Sequence, residues 1–244
     1  MSGKSLVQKH LNRRTIVSAI MILIVIPVTI FFGLYFLNDR KYYFISLLII
    51  IYTMIPFIMI FEKREPQARE LILIAVLTAI AVAGRGAFYM IPQFKPVVAI
   101  VIITGVSLGA ESGFLVGALT GFISNFFFGQ GPWTPWQMFC FGIIGFLAGI
   151  LFQKEILKKN KLSLCIYGGL STFFIYGGII DLGSLLIFTS HFSWKALLTT
   201  YISGFWFNII HSIATVFFLY IISQPMIEKL DRIKIKYGLI ISDS

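Results

Sequence analysis

Asp181 is the one acid that falls well inside a long apolar stretch of this 244-residue chain. A carboxylate in a bilayer is costly, so its default reading is functional: it would bind a cation or amide, or relay protons. The competing reading is structural, a pair with nearby backbone or a neighbouring side chain. Asn125, Asn208 and His211 also lie in apolar stretches, where such groups mostly hydrogen-bond between helices. The densest chemistry is in the segment Asn125-Phe-Phe-Phe-Gly-Gln-Gly-Pro-Trp-Thr-Pro-Trp136. Gly129 and Gly131 allow a tight turn. Pro132 and Pro135 fix it, so little entropy is lost when something docks there. Trp133 and Trp136 offer flat amphipathic surfaces. A membrane-interface aromatic belt is the plainer explanation, but belts are scattered rings. A Gly/Pro-locked dodecamer better suits a loop that covers a ligand.

Two further connections share its side of the expected topology: Arg85-Gly-Ala-Phe-Tyr-Met-Ile-Pro-Gln-Phe-Lys95 and Phe188-Thr-Ser-His-Phe-Ser-Trp-Lys195. Aromatic walls with a few polar groups are the usual chemistry of a small-molecule pocket. The candidate ligand contacts are Arg85, Tyr89, Gln93, Asn125, Gln130, Trp133, Trp136, Asp181, His191, Trp194 and Asn208. No catalytic constellation stands out. There is no Gly-Lys phosphate loop, no H-E-x-x-H and no G-x-S-x-G. His191 and His211 are far apart in sequence and expected depth, so no metal site is expected. Cys140 and Cys165 are expected near opposite membrane faces, as unpaired packing residues.

The elements that must position these groups are helices in a membrane. The chain is 58% hydrophobic and 12% charged, against about 25% charged for a soluble domain. Apolar runs long enough to span a bilayer recur, and they are continuous rather than alternating, which makes strands poor candidates. Eight spans are expected, at roughly 15–37, 42–61, 69–90, 95–110, 112–128, 135–152, 163–188 and 197–224. The fourth is short enough to cross incompletely. No cleavable leader is expected. The net charge of +10 reads as topology, not as a nucleic-acid surface. Lys4, Lys9, Arg13, Arg14, Lys63, Arg64, Arg69, Lys154, Lys158, Lys159, Lys161, Lys229, Arg232, Lys234 and Lys236 fall on one side. Arg40, Lys41, Arg85, Lys95 and Lys195 fall on the other, so both termini are expected in the cytoplasm. The charged linker at 62–70 divides a bulky accessory hairpin (1–61) from a core rich in small residues (62–225). A basic tail (226–244) follows.

Ala75, Ala79 and Ala83 recur every four residues, and Ala87 keeps the register, so they share one helix face. Such a face admits another helix closely, from this protein or from a partner. Gly113, Gly117 and Gly121, then Gly142, Gly145 and Gly149, are expected to pack inside the bundle.

Six compact spans, the alanine stripe on the first and three ligand-covering loops resemble the S component of an energy-coupling factor (ECF) transporter, over roughly residues 69–225. The resemblance implies an all-α, six-helix membrane bundle in a bacterial-type cell membrane that captures a vitamin outside. It implies docking through Ala75, Ala79 and Ala83 on a scaffold subunit, toppling in the membrane, and two partner ATPases that use the ATP. No cofactor of its own is implied. The Gly-Gln-Gly-Pro-Trp-Thr-Pro-Trp loop is similar to S components assigned to cobalamin and related corrinoids. A large, amide-studded ligand of low net charge suits these residues. A strongly anionic vitamin would call for clustered Arg or Lys, which the sequence does not show, although Arg85, Lys95 and Lys195 are able to meet one phosphate. Two other readings stand beside this one: a proton-coupled secondary transporter using Asp181, and an intramembrane enzyme, for which convergent acids and bases are missing.

Overall fold

The computed structural model describes residues 68–189 and 193–237, with four isolated positions before them, Ile20, Ile24, Val28 and Ile55. The expected hairpin, His191 and the last residues of the chain lie outside that set. Among the described residues there is no strand, and six helices follow one another. They are α1 (Ala68–Ala87), α2 (Val97–Leu108), α3 (Ala110–Phe128), α4 (Thr134–Gln153), α5 (Lys161–Phe188) and α6 (Trp194–Tyr237). All but α2 are long and apolar enough to cross a membrane, as expected of a multi-pass protein.

At twelve residues, α2 extends about 18 Å, well short of the ~30 Å hydrocarbon core. Every residue in it is buried. It is apolar all round because it has no exposed face. The short fourth span is therefore an interior helix. A single residue, Gly109 at φ +108°, turns it directly into α3, and that φ favours glycine.

The two glycine stripes pack α2, α3 and α4 backbone to backbone. A Cβ on Gly113 would sit 2.5 Å from the Gly145 carbonyl oxygen, and one on Gly117 2.5 Å from Phe141 C. Gly105 meets the same Gly145 carbonyl, and Gly149 meets Ala110. Phe114, Phe146, Phe152, Ile102, Ile103 and Ile144 fill the core around this seam.

Asn160 caps α5, accepting a 2.8 Å bond from the Ser163 amide. From Ser171 to Gly177 the helix widens to a π-turn. Hydroxyls bond the carbonyls on either side of it. Ser212 Oγ donates to Gly169 O (2.6 Å), Thr172 Oγ1 to Gly168 O (2.7 Å) and the Tyr201 hydroxyl to Gly178 O (2.7 Å). Altered helix backbone persists in a membrane where such partners satisfy it.

Helix α6 has 44 residues and would measure about 66 Å if straight. It runs through Pro225 to Tyr237, so the expected boundary at 225 falls inside one helix. Ile227 and Leu230 are buried in the core, interleaved at helical spacing with Lys229, Arg232, Lys234 and Lys236. Lys234 Nζ donates to Ser107 O (2.8 Å), and Arg69 donates to Tyr237 O (3.1 Å) while lying over its ring. What reads as a charged tail is an amphipathic continuation.

Candidate functional site

The Arg85 end of the bundle holds a polar network drawn from several elements. Arg85, in the last turn of α1, donates through Nη1 to Ser124 Oγ and to Asn125 Oδ1 (2.9 Å) on α3. Asn125 is fully buried. It donates in turn to Thr134 Oγ1 and Gln137 Oε1 on α4, both at 2.9 Å. Gln137 lies beside the hydroxyl of Tyr176, in the π-turn. Tyr176 meets His211 of α6 edge to face, with ring centroids 4.6 Å apart. Lys95, in the connection after α1, is close enough to Arg85 and His211 for their charges to interact.

Aromatic rings roof this network. The Arg85 guanidinium lies over the Phe128 ring, 5.3 Å from its centroid, and Tyr89 stacks on Phe128 with ring centroids 4.9 Å apart. The same connection is anchored by Phe88 and Phe94, which pack on Phe218. Gln93 is half-buried and adopts φ 57°.

The Gly/Pro/Trp loop splits its work. Gln130 braces it, donating to Phe122 O at 3.1 Å. Thr134 Oγ1 accepts from the Gly131 amide. Trp133 folds over Gly131 and stays partly exposed. Trp136 belongs to α4 and is buried against Gly183 of α5, where a Cβ would come within 2.8 Å of the indole. It is a wedge between helices, not part of a lid. A Pro at the start of α4 makes this short loop–helix junction possible.

Asp181 forms a separate pair. Asn208 Nδ2 donates to its Oδ2 at 2.8 Å. Two glycines make room: a Cβ on Gly204 would lie 2.5 Å from Asp181 Oδ2, and one on Gly177 2.6 Å from Asn208 Cγ. The geometry is that of an interhelical clamp. Asp181→Asn keeps shape and a hydrogen bond to Asn208. It should therefore leave ligand affinity within about threefold, a change below ~0.7 kcal/mol. Titration of the purified variant checks this; a loss beyond tenfold would return Asp181 to the ligand site.

The structure thus brings together Arg85, Tyr89 and Asn125, with Gln93, Gln130 and Trp133 around them and the Asp181–Asn208 pair alongside. Trp194 opens α6 and is highly exposed, and His191 lies outside the described residues. Sequence reasoning missed Gln137 and Tyr176, and read His211 as an interhelical hydrogen-bonding residue. Gln137 had a legible signal, since it falls one helical turn after Trp133. Tyr176 had none, because the π-turn breaks the 3.6-residue count. Cys140 and Cys165 are buried and unpaired, as expected.

On α1, Ala75, Ala79, Ala83 and Ala87 are all exposed, while Ile74, Leu77, Thr78 and Ala81 face inward. Among the described residues nothing covers the alanine face.

A family model described as the ECF transporter substrate-specific component matches residues 69–234. A UPF0397 protein of Vibrio atlanticus is 26% identical over 125 residues, covering 48% of this chain and 68% of that protein. One from Aliivibrio salmonicida is 27% identical over 49% of this chain and 66% of its own length. One from Aliivibrio fischeri is 30% identical over 101 residues, 39% of this chain and 53% of that protein. No solved structure matches the chain.

Proposed function

The chain belongs to the substrate-specific components of ECF transporters, and on that premise we propose that it captures a vitamin, a cobalamin or related corrinoid, from outside the cell. It then delivers the ligand by docking on a scaffold subunit that carries two ATPases. The observation that carries the docking half is the exposure of Ala75, Ala79 and Ala83 on one face of α1. A small-residue stripe used for packing within the bundle would be covered, as the Gly113 and Gly145 stripes are. Uncovered by any of the described residues, it offers a close approach to a partner's helix.

The ligand half is supported by the end of the bundle where Arg85, Asn125, Gln137, Tyr176 and His211 converge under Tyr89, Phe128 and the Trp133 loop. Amide, hydroxyl and imidazole groups inside an aromatic wall match a large ligand edged with amides. In this reading that end of the bundle faces outward. ATP is hydrolysed by the partners, and the chain needs no cofactor of its own.

The test is a calorimetric titration of the detergent-purified full chain with cobalamin. Saturable binding at one site, in the sub-micromolar range or about −8 kcal/mol and beyond, is the expected result. A folded, ligand-free sample that takes up no cobalamin would remove the corrinoid and redirect the search to other vitamins.

A further inference from the structure

Arg85 and Lys95 are two half-buried cations, close enough for their charges to interact, for which the described residues supply no anion. Arg85 has five N–H donors. Nη1 serves Ser124 and Asn125, while Nη2 and Nε have no partner among the described residues. Lys95 has no hydrogen-bonding or ion-pair partner there either. The intramembrane acid, Asp181, is engaged by Asn208. Burial, and then the like charge of Arg85, hold Lys95 below the ordinary lysine range. Two like charges brought together out of water are expensive unless something pairs with them.

A second feature points to the same place. His211 is buried, and its Nδ1 has no hydrogen-bond partner among the described residues. It stands edge-on to Tyr176 and within charge range of both cations. A neutral imidazole can supply one N–H or one lone pair there. The free edge of a guanidinium already oriented by two bonds and stacked on Phe128 is the donor geometry that carboxylates and phosphates select.

We propose that Arg85 and Lys95 jointly hold a single oxyanion of the transported ligand, a carboxylate or phosphodiester, with His211 lining its seat. This rests on the ligand-capture reading and narrows it: the cargo carries one anionic group on an otherwise neutral body.

The experiment has two arms, both on the full chain in detergent. In the first, thermal unfolding is followed in chloride and in inorganic phosphate at matched ionic strength, for wild type and Lys95→Gln. Phosphate should raise the wild-type midpoint by several degrees through mass action, and by at most about a third as much in the variant. Equal shifts in both proteins overturn the proposal. In the second, cobalamin is compared with cobinamide, which lacks the phosphodiester. Wild type should prefer cobalamin by at least about tenfold, and Lys95→Gln should erase that preference. Equal affinity for both corrinoids in wild type overturns the anion seat while the corrinoid assignment stands. Phosphate protection confined to wild type, with neither corrinoid bound, upholds the seat and removes the corrinoid.

Discussion

Ala79→Trp should cut co-purification with the scaffold and ATPases by at least about tenfold, 1.4 kcal/mol or more, and reduce uptake to match. The argument is geometric. Ala79 is exposed in the middle of a stripe whose register, four residues, keeps Ala75, Ala79 and Ala83 on one face of α1. Helices associate in lipid by close van der Waals packing rather than by the hydrophobic effect. An indole in that seam holds the partner's backbone away along its whole length. The isolated protein should bind its ligand as before, because Arg85 and Asn125 lie on the network at the end of the bundle. Pull-down of the assembled complex, with titration of the free subunit, separates the two effects. Intact uptake in a complex shown to assemble through this helix would sink the docking assignment.

Gly145→Val should lower the unfolding midpoint by about 2–12 °C, or leave no monodisperse protein at all. A Cβ at Gly145 would lie 2.6 Å from Gly113 C and 2.7 Å from Val101 Cγ1, with the Gly113 carbonyl closer still. These neighbours are backbone and a buried branched side chain, so neither can swing aside. Overpacking of this kind costs ~1–3 kcal/mol or more, and a domain this size loses about 2–4 °C per kcal/mol. Gly178→Ala is the control. A Cβ there meets nothing within 4 Å, and replacing a helical glycine shrinks the unfolded ensemble. A thermal melt of both variants in one detergent decides it; equal midpoints would mean the glycine seam is looser than its geometry.

How much of this was legible beforehand follows from where each signal lives. Five spans among the described residues were legible because bilayer thickness fixes their length. The glycine and alanine stripes were too, because their spacing is local. What the sequence could not distinguish was a covered stripe from an open one, since that depends on neighbours distant in the chain. The same limit explains Trp133 and Trp136. Three residues apart, they read as one aromatic surface, yet the start of α4 falls between them and Gly183, far along the chain, receives the second. The cations were half legible: Arg85 and Lys95 share one connection and read as able to meet one phosphate. What only the fold shows is that His211, on the last helix, lies close enough for its charge to interact with both. The end of α6 was misjudged because Pro225 and the run of lysines resemble a stop, while Ile227 and Leu230 carry the helix onward.

The π-turn from Ser171 to Gly177 gives α5 two independent phases. Each residue of a helix advances its face by about 100°, so a widened turn offsets everything after it from everything before. Leu164 and Gly168 keep their seats against the core and α6, whatever the later half does. A lineage that gained or lost one residue in this segment would swing the Tyr176–Asp181 half around the helix axis without unseating the other half. One turn of backbone therefore lets the two halves of α5 change their facing independently of each other.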